Sequence, residues 1–275
     1  MKYGRNKNET RYMDRGINSN YPNGGASYRC IHSYNFEANS MKSNGIELYK
    51  GPSMLNGSPI IAILIFKSAN VKTGDMMQLH IIRSDMAPLM ASKKKLDHAN
   101  CGNCPHKHSE GGGCYVNIGQ GPTVVYKTWK LGKYPAYTSE HDSRISARKV
   151  RLGAYGDPAA IPYSILKHLT DTALGFTGYT HQLKHKNFDP RVLEFCQIST
   201  DTEKQTLQAH KNKRGTFRVV KDKNHALPFE TECLADSKGL ECRDCMKCDG
   251  TSNIFILVHG SRKSNFLNNN IIARG

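Results

Sequence analysis

The chain of 275 residues is long enough to bury a hydrophobic core without disulfides or metal ions to stabilise it. Its formal net charge of +16 favours a polyanionic partner, and nucleic acid or a nucleotide is the first candidate. No apolar run approaches the ~18 residues of a membrane span, and the N-terminus, MKYGRNKNETRYMDRG, lacks the apolar region of a signal peptide. These features argue against an integral membrane protein and predict a cytoplasmic one.

The first part of the chain predicts a polar arm followed by a hairpin. Residues 1–56 are rich in Asn, Gly, Ser and Tyr and predict a loosely ordered N-terminal arm or a few short strands. The apolar stretches GSPIIAILIFKSA (57–69) and DMMQLHIIRSD (75–85) predict two strands, with a turn at VKTG between them.

Beyond residue 120 the pattern alternates between strands and helices. Strands are predicted over 147–158, 174–182, 193–201 and 216–222, and helices over 121–132, 159–173 and 202–215. This alternation indicates right-handed βαβ units and a parallel sheet, either open or barrel-like. We therefore predict an α/β fold, a parallel partial TIM-like barrel with cysteine-rich metal-binding loops. The predicted catalytic domain covers 57–228, and a cysteine-rich metal-binding segment covers 229–275.

Seven of the nine cysteines lie in two clusters. In a reducing compartment, clustered thiols favour metal ligation or redox chemistry over disulfides. The first cluster, Cys101-x2-Cys104-x9-Cys114, suits an iron–sulfur cluster that keeps one iron position open. It also suits a tetrahedral zinc site completed by His106 or His108.

The second cluster lies near the C-terminus and contains Cys233, Cys242, Cys245 and Cys248. Its two successive C-x2-C steps are typical of ferredoxin-type cluster loops, and four cysteines equally suit a closed structural zinc site. His259 is an alternative ligand. The spacing predicts a metal here and leaves its identity open.

Polar residues follow the predicted strands. The carboxyl ends of parallel strands meet at one edge of a sheet, where ligands gather. Asp157 and Asp201 are the candidate carboxylates for proton transfer, and His181 is the candidate proton shuttle. Each aspartate also suits a helix N-cap or a turn. Arg218, inside the strand TFRVV, is expected to point into the mouth of the barrel toward an anionic ligand.

The segment 204–223 is strongly basic. Its side chains are predicted to contact nucleic-acid phosphates through interactions that weaken as salt rises. A solvated helix face is the alternative. The residues concerned are Lys204, Lys211, Lys213, Arg214, Lys221 and Lys223.

The order of several motifs resembles a family of phage and plasmid proteins sometimes called gene eighty-eight proteins. The motifs are CPHKH…GGGCYV, RLGAYGDPAAIP, GFTGYTHQ, and a C-terminal C-x2-C-x2-C followed by HG. The similarity spans roughly residues 60–260. It implies a mobile-element origin and a bacterial host, and it implies no particular activity.

A second, more distant resemblance is to radical S-adenosylmethionine enzymes. The three-cysteine loop is followed in the same order by Gly156-Asp157-Pro158, Gly178-Tyr179-Thr180 and Ser199-Thr200-Asp201. The resemblance implies that the first cluster holds the methionyl group and that Gly156, Pro158 and Ser199 bind the cofactor. It also implies an auxiliary cluster at the C-terminal cysteines. The loop spacing here is C-x2-C-x9-C, whereas the family usually has C-x3-C-x2-C.

A third resemblance is to tRNA-guanine transglycosylases and their phage relatives, which place deazaguanines in DNA. These are basic barrels with a zinc site of three cysteines and one histidine, which would correspond here to Cys242, Cys245, Cys248 and His259. Asp157 or Asp201 would then be the nucleophile that displaces guanine.

We therefore expect a phage-type metalloenzyme that acts on a nucleic acid or a nucleotide in the cytoplasm of a bacterial host. The leading mechanism is radical chemistry with an iron–sulfur cluster at Cys101, Cys104 and Cys114, together with S-adenosylmethionine. One alternative is a zinc-containing DNA guanine transglycosylase that inserts a 7-deazaguanine base. The other is a metal-stapled nucleic-acid-binding protein without catalysis.

Overall fold

A computed structural model describes residues 42–268, in which ten strands form two five-stranded sheets. The strands are β1 (Gly45–Pro52), β2 (Pro59–Ile65), β3 (Met77–Arg83), β4 (Lys149–Tyr155), β5 (Gly175–Thr177), β6 (Tyr179–Thr180), β7 (Gln197–Thr200), β8 (Thr216–Val220), β9 (Thr231–Glu232) and β10 (Asn253–Leu257). The strand order is β1-β2-β3-β4-β5 in the first sheet and β6-β7-β8-β10-β9 in the second.

Helices connect most of these strands. They are α1 (Pro88–Lys93), α2 (His98–Cys101), α3 (Gly121–Lys130), α4 (Asp142–Ser146), α5 (Tyr163–Thr172), α6 (Glu203–Lys211), α7 (Leu234–Ser237), α8 (Cys242–Cys245) and α9 (Lys263–Asn268). Short 3-10 turns occupy Val71–Thr73, His108–Glu110, Ser139–His141, Pro158–Ala160, Pro190–Glu194 and Lys223–His225. Within the described part of the chain, no helix has the length and apolar character that crossing a bilayer requires.

The first sheet is mixed and the second is parallel. β1, β2 and β3 pair antiparallel, and the predicted hairpin is confirmed, with the turn at Val71–Thr73 between its strands. β3, β4 and β5 pair parallel, as do all the strands of the second sheet. β1 falls in the region predicted to be a polar arm, residues 1–56, of which 1–41 lie outside the described residues.

The two sheets meet at Gly178, which lies between β5 and β6. Its N–H donates to the Cys248 carbonyl at 3.0 Å, and its own carbonyl accepts from the Gln197 N–H at 3.0 Å. A Cβ at this position would lie 2.7 Å from the Phe195 carbonyl oxygen, so only glycine fits without a shift. The parallel strands β3, β4, β5–β6, β7, β8 and β10 therefore follow one another side by side.

The predicted α/β class and parallel sheet are confirmed. The described strands do not close into a ring, because β1 and β9 each pair with a single strand. A partial barrel stays a prediction. β9 and β10 complete the second sheet, so the segment 229–268 belongs to the same fold as the strands before it.

Burial on both faces of β2 explains why the sequence of this strand is a continuous apolar run. Every residue of this strand after Pro59 is buried, and alternate side chains face two different cores. One core takes Ile60, Ala62 and Leu64, and the other takes Ile61, Ile63 and Ile65 together with Val125 and Tyr126 of α3. A strand covered on both faces shows no polar alternation.

Candidate functional site

A cavity lies on the inner face of the parallel strands and opens toward their carboxyl ends. Its volume is about 180 Å³, more than ten times the ~15 Å³ that a single water needs. It therefore suits a ligand larger than isolated waters. The residues predicted from sequence that line it are Cys101, Cys104, Cys114, Gly156, Asp157, His181 and Ser199.

Gln182, which follows β6, holds the first cysteine loop in place through two hydrogen bonds. The Gln182 side chain donates to the Cys101 carbonyl at 3.0 Å and accepts from the Asn103 N–H at 2.9 Å. Gly102 has a φ of 51°, and a Cβ there would lie 2.1 Å from the Gln182 side-chain oxygen. Because Gln182 is fully buried, the loop has little freedom to move relative to the sheet.

The nine residues between Cys104 and Cys114 fold back on themselves. The Cys114 N–H donates to the His106 carbonyl at 2.9 Å, and a Cβ on Gly112 would lie 2.4 Å from the His106 carbonyl carbon. Gly113 packs against Phe266 of α9, whose ring stacks on His106 at 5.1 Å. The glycines are therefore required by close packing, and the long spacing still returns Cys114 to the cavity wall.

The three thiols are close enough to influence one another. Burial raises the pKa of Cys101 well above its usual range, and the neighbouring Cys104 and Cys114 add to this effect. Burial also raises the pKa of Cys114 to about 11. Both thiols are therefore protonated at neutral pH in the protein alone, and a metal or cluster that binds them must displace those protons.

The cysteine sulfurs are spread more widely than the ligands of one zinc ion. A tetrahedral zinc ion, with Zn–S bonds of ~2.3 Å, holds its sulfur ligands about 3.8 Å apart. Among the cysteines of residues 42–268, no three sulfurs all lie within 4.8 Å of one another. The set that does meet this criterion is His106, His181 and Asp201.

His106, His181 and Asp201 form a charged group beside Cys104. The Asp201 carboxylate lies 2.8 Å from His106 Nε2 and 3.5 Å from His181 Nε2. Burial acts to raise the pKa of Asp201, but hydrogen bonds from the two histidines outweigh it and hold that pKa below its usual range. Burial acts to lower the pKa of His181, and Cys104 and Asp201 together raise it well above normal. Thr202, not Asp201, is the N-cap of α6, so the N-cap alternative for Asp201 is wrong.

Asp157 is held on both carboxylate oxygens. Oδ1 accepts from the Ala159 N–H at 3.0 Å and the Thr180 hydroxyl at 2.8 Å. Oδ2 accepts from the His181 N–H and the Gln182 side chain, both at 2.9 Å. The N-cap alternative is therefore confirmed for Asp157. With four donors in place, this carboxylate positions the ends of β4 and β6, and it also forms part of the cavity wall.

The other predicted cofactor residues differ in their exposure to the cavity. Gly156 lines the wall with a φ of 85°, and a Cβ there would lie 2.5 Å from the Ile81 carbonyl oxygen. Ser199 of β7 also lines the wall. Pro158 begins the 3-10 turn after Asp157, and it is buried outside the wall.

The prediction that Arg218 points into the mouth of the barrel toward an anionic ligand is wrong. Phe217 and Val219 line the cavity, so Arg218, between them on β8, points to the opposite face. There its Nε donates to Glu230 Oε1 at 3.0 Å, and an Nη donates to the His225 carbonyl at 2.7 Å. Arg218 is therefore paired with a buried carboxylate and does not face a ligand in the cavity.

The second cysteine cluster lies at the amino ends of the same strands. Backbone carbonyls of residues 242–252, which contain the last three cysteines, accept hydrogen bonds from four of these strands or from the residues just before them. The donors are the side chains of Lys149 at the start of β4 and Gln197 at the start of β7, and the N–H groups of Gly178 before β6 and Gly215 before β8. Burial raises the pKa of Cys248 to about 12, and Cys233 and Cys242 add to this effect. Burial likewise raises the pKa of Cys242, and Cys233 and Cys245 add to this effect.

His259 is separated from this second cluster. β10 runs between them, with Cys248 before its amino end and His259 beyond its carboxyl end, where the His259 ring contacts Tyr115 at 4.9 Å. A zinc site that combines His259 with the C-terminal cysteines does not match this placement.

The basic residues of 204–223 divide into two groups. All six are exposed. Lys204, Lys221 and Lys223 follow the carboxyl ends of β7 and β8, and Lys223 pairs with Glu232 at 2.8 Å. The others, at the end of α6 and before β8, lie toward the amino ends: Lys211, Lys213 and Arg214.

Sequence reasoning missed Gln182 and Arg151. Gln182 is part of the motif Thr180-His181-Gln182 but was given no role, although it clamps the cysteine loop. Arg151 lines the cavity from β4 and was not considered. The sequence does contain a signal for Arg151, which lies between the apolar residues Val150 and Leu152 of a predicted strand. A charged side chain in such a position must face either solvent or a site.

Comparison with known proteins adds no relative. The chain matches no protein-family model, no curated protein and no solved structure. The resemblances drawn from the motifs therefore stay predictions, and function is argued from the site itself.

Proposed function

We propose that this protein is an iron–sulfur enzyme of the radical S-adenosylmethionine type that modifies a nucleic acid or a nucleotide. The observation that carries the proposal is one shared cavity. Its wall contains Cys101, Cys104 and Cys114 beside Gly156 and Ser199. These residues follow or end successive parallel strands in the order that the resemblance implies.

The donor set suits a cluster better than a single ion. Among the described residues no three cysteine sulfurs lie within 4.8 Å of one another, which favours a cluster, in which each cysteine binds a different iron, over a single zinc ion. The partly buried imidazole of His181, whose pKa is raised, supplies positive charge beside Cys104, where a negatively charged cluster would be bound. An iron–sulfur cluster with an open iron position supplies one-electron reduction of S-adenosylmethionine.

The chain's own residues would bind and shield the cofactor. Ser199 lines the cavity and offers a hydroxyl to the cofactor, while Asp201 lies behind the wall and holds the cavity residues His106 and His181 in place. The absence of a side chain on Gly156 lets the backbone after β4 pack against Ile81 and form part of the cavity wall. Phe217 and Val219 cover the opposite wall with apolar surface that excludes water.

His106, His181 and Asp201 support a second candidate, a mononuclear metal enzyme. Two histidines and one carboxylate with ligand atoms within 4.8 Å are the set that holds a single iron or zinc ion with open positions. His106 Nδ1 is buried and has no hydrogen-bond partner among the described residues. We do not favour base exchange through Asp157, because four donors already occupy that carboxylate.

Metal content after anaerobic isolation tests the proposal. We expect a brown protein with about four irons per chain, or about eight if both cysteine clusters are filled. Cys104→Ser should lose about four of these irons, because the first cluster loses a ligand. Cys196→Ser, a buried cysteine outside both clusters, should keep them all. A colourless protein would contradict the proposal. If the wild type contains a single zinc or iron ion per chain and His181→Ala loses it, the result would favour the mononuclear site.

DNA binding is expected to depend on which basic group is changed. Reversing Lys204, Lys221 and Lys223 to glutamate should weaken binding at least tenfold at low salt, because these residues follow the carboxyl ends of two strands that line the cavity. The slope of log K against log salt should fall by about 3, at ~0.9 per phosphate contact. The same reversal at Lys211, Lys213 and Arg214 is the matched control and should change affinity less than threefold. Equal losses in a filter-binding titration would place the phosphate contacts elsewhere.

A further inference from the structure

One charged side chain in the cavity wall has no charged protein partner. Arg151, the third residue of β4, lies on the inner face of the sheet between the cysteine loop and the C-terminal cysteine segment. Its guanidinium carbon is 5.7 Å from the centre of the Tyr179 ring. The Tyr115 side chain hydrogen-bonds the guanidinium.

The other permanently charged side chains of the wall are already satisfied. Asp97 accepts a short hydrogen bond from the Ser109 hydroxyl, and Asp157 accepts four hydrogen bonds. Lys107 donates to a backbone carbonyl at 2.7 Å. Arg151 differs from all three. Among residues 42–268 no carboxylate lies within 4.0 Å of it, and its Nε is buried with no hydrogen-bond partner.

A guanidinium in this position is costly to leave unpaired. Removing an ion from water costs several kcal/mol unless an opposite charge and further hydrogen bonds replace its hydration. The planar guanidinium presents donors in a fork that matches a carboxylate or a phosphate. The cavity therefore contains a cationic group with free donor capacity and, among the described residues, no carboxylate to use it.

We propose that Arg151 binds an anionic group, a carboxylate or a phosphate, on the ligand of this cavity. Tyr115 and Tyr179 flank the same position, so the group beside the anion would be held between aromatic rings. Arg151 lies toward the amino end of β4, whereas Gly156 and the cysteine loop lie at its carboxyl end. This inference rests on the proposed function for one point only, that the anion belongs to the substrate and not to the cofactor.

Binding of simple anions tests the site. The protein is isolated anaerobically, and its affinity for inorganic phosphate and for acetate is measured by calorimetry at constant ionic strength in chloride. Wild type should bind at least one of them, and Arg151→Gln should weaken that binding at least tenfold. Arg191→Gln removes the same charge from an exposed residue paired with Asp189, and it should bind as wild type does. Wild type that binds neither anion, or Arg151→Gln that binds as tightly as wild type, would overturn the proposal.

The anion-free protein supplies a second readout. Because Arg151→Gln removes an unpaired cation, the Tm without added anion should stay the same or rise, and the iron content should not change. A lower Tm with loss of iron would mean that Arg151 is instead the counter-ion of Cys242 and Cys248, and it would overturn the inference.

The two proposals fail separately. A protein without iron that still binds phosphate or acetate through Arg151 would refute the iron–sulfur function and leave the anion site in place. A protein with the expected iron but no anion binding that depends on Arg151 would do the reverse. Competition between S-adenosylmethionine and phosphate would assign the anion to the cofactor's carboxylate and remove the substrate assignment.

Discussion

Alanine in place of Asp157 is expected to lower the free energy of unfolding by about 4 kcal/mol. Three donors would lose their acceptor, namely the Ala159 N–H, the Thr180 hydroxyl and the His181 N–H, at roughly 1–3 kcal/mol for each buried group left unsatisfied. Gln182 keeps its second bond, to the Cys101 carbonyl. Urea unfolding followed by circular dichroism measures the change.

Asparagine at the same position separates this role from a catalytic one. Asp157→Asn keeps one acceptor oxygen, and Thr180 can turn its hydroxyl to accept from the new amide. The expected loss is therefore smaller, about 1–3 kcal/mol for one unsatisfied donor. Asp171→Ala, at an exposed carboxylate paired with Lys167, is the control and should stay within about 0.5 kcal/mol of wild type. If Asp157→Ala behaves like this control, the positioning role is refuted.

Methionine in place of Arg218 is expected to destabilise the protein by about 3–5 kcal/mol. The Glu230 side chain is 0 % exposed and pairs with Arg218, which is 4 % exposed, so the substitution leaves a buried carboxylate without its partner. The loss should show in the midpoint of urea unfolding, and it should shrink as the pH falls far enough to protonate the unpaired carboxyl.

The double variant Arg218→Met with Glu230→Gln is the informative control. Glutamine removes the buried charge and still accepts from the Leu227 N–H, which lies 2.8 Å from the glutamate oxygen. Much of the lost stability should return, giving a coupling energy of about 2 kcal/mol or more in the double-mutant cycle. If the double variant is as unstable as the sum of the two single variants, the pair is not coupled and our account of Arg218 is wrong.

The sequence was sufficient for the regular elements and for their order. The hairpin of β2 and β3, the helices α3, α5 and α6, and the strands β4, β7 and β8 all lie within their predicted ranges, because apolar periodicity and Gly-Pro boundaries are local signals. The strand-end motifs met in one cavity for the reason predicted, since the strands that carry them are parallel.

The direction of single side chains was not predictable. In TFRVV Arg218 is the one charged residue, and both faces of β8 are covered, so the sequence does not tell which face meets the cavity. The same applies to Arg151 on β4. The register with neighbouring strands decides which face each side chain occupies. This register places Arg218 against Glu230 and Arg151 in the cavity wall.

The placement of the second cysteine cluster depends on contacts that are distant in sequence. Nothing within ECRDCMKCDG indicates that it packs beneath strands whose residues lie up to about a hundred positions earlier, such as Lys149. Its contacts use backbone carbonyls as acceptors, including that of Arg243, and carbonyls carry no sequence signature. The position of this segment at the amino ends of the strands was therefore not predictable from its motif, although its cysteines were.

The position of residues 242–252 has a consequence for biosynthesis. Strands β1 to β3 can pair as soon as they leave the ribosome, because they are adjacent in sequence. β9 has no partner until β10 emerges to pair with both β8 and β9, and α9 reaches the cysteine loop later still. The contacts between α9 and the cysteine loop thus form last. On the proposed function, a cluster inserted during synthesis would meet a loop without these contacts, whereas insertion after release would have to pass through the cavity in whose wall the three cysteines lie.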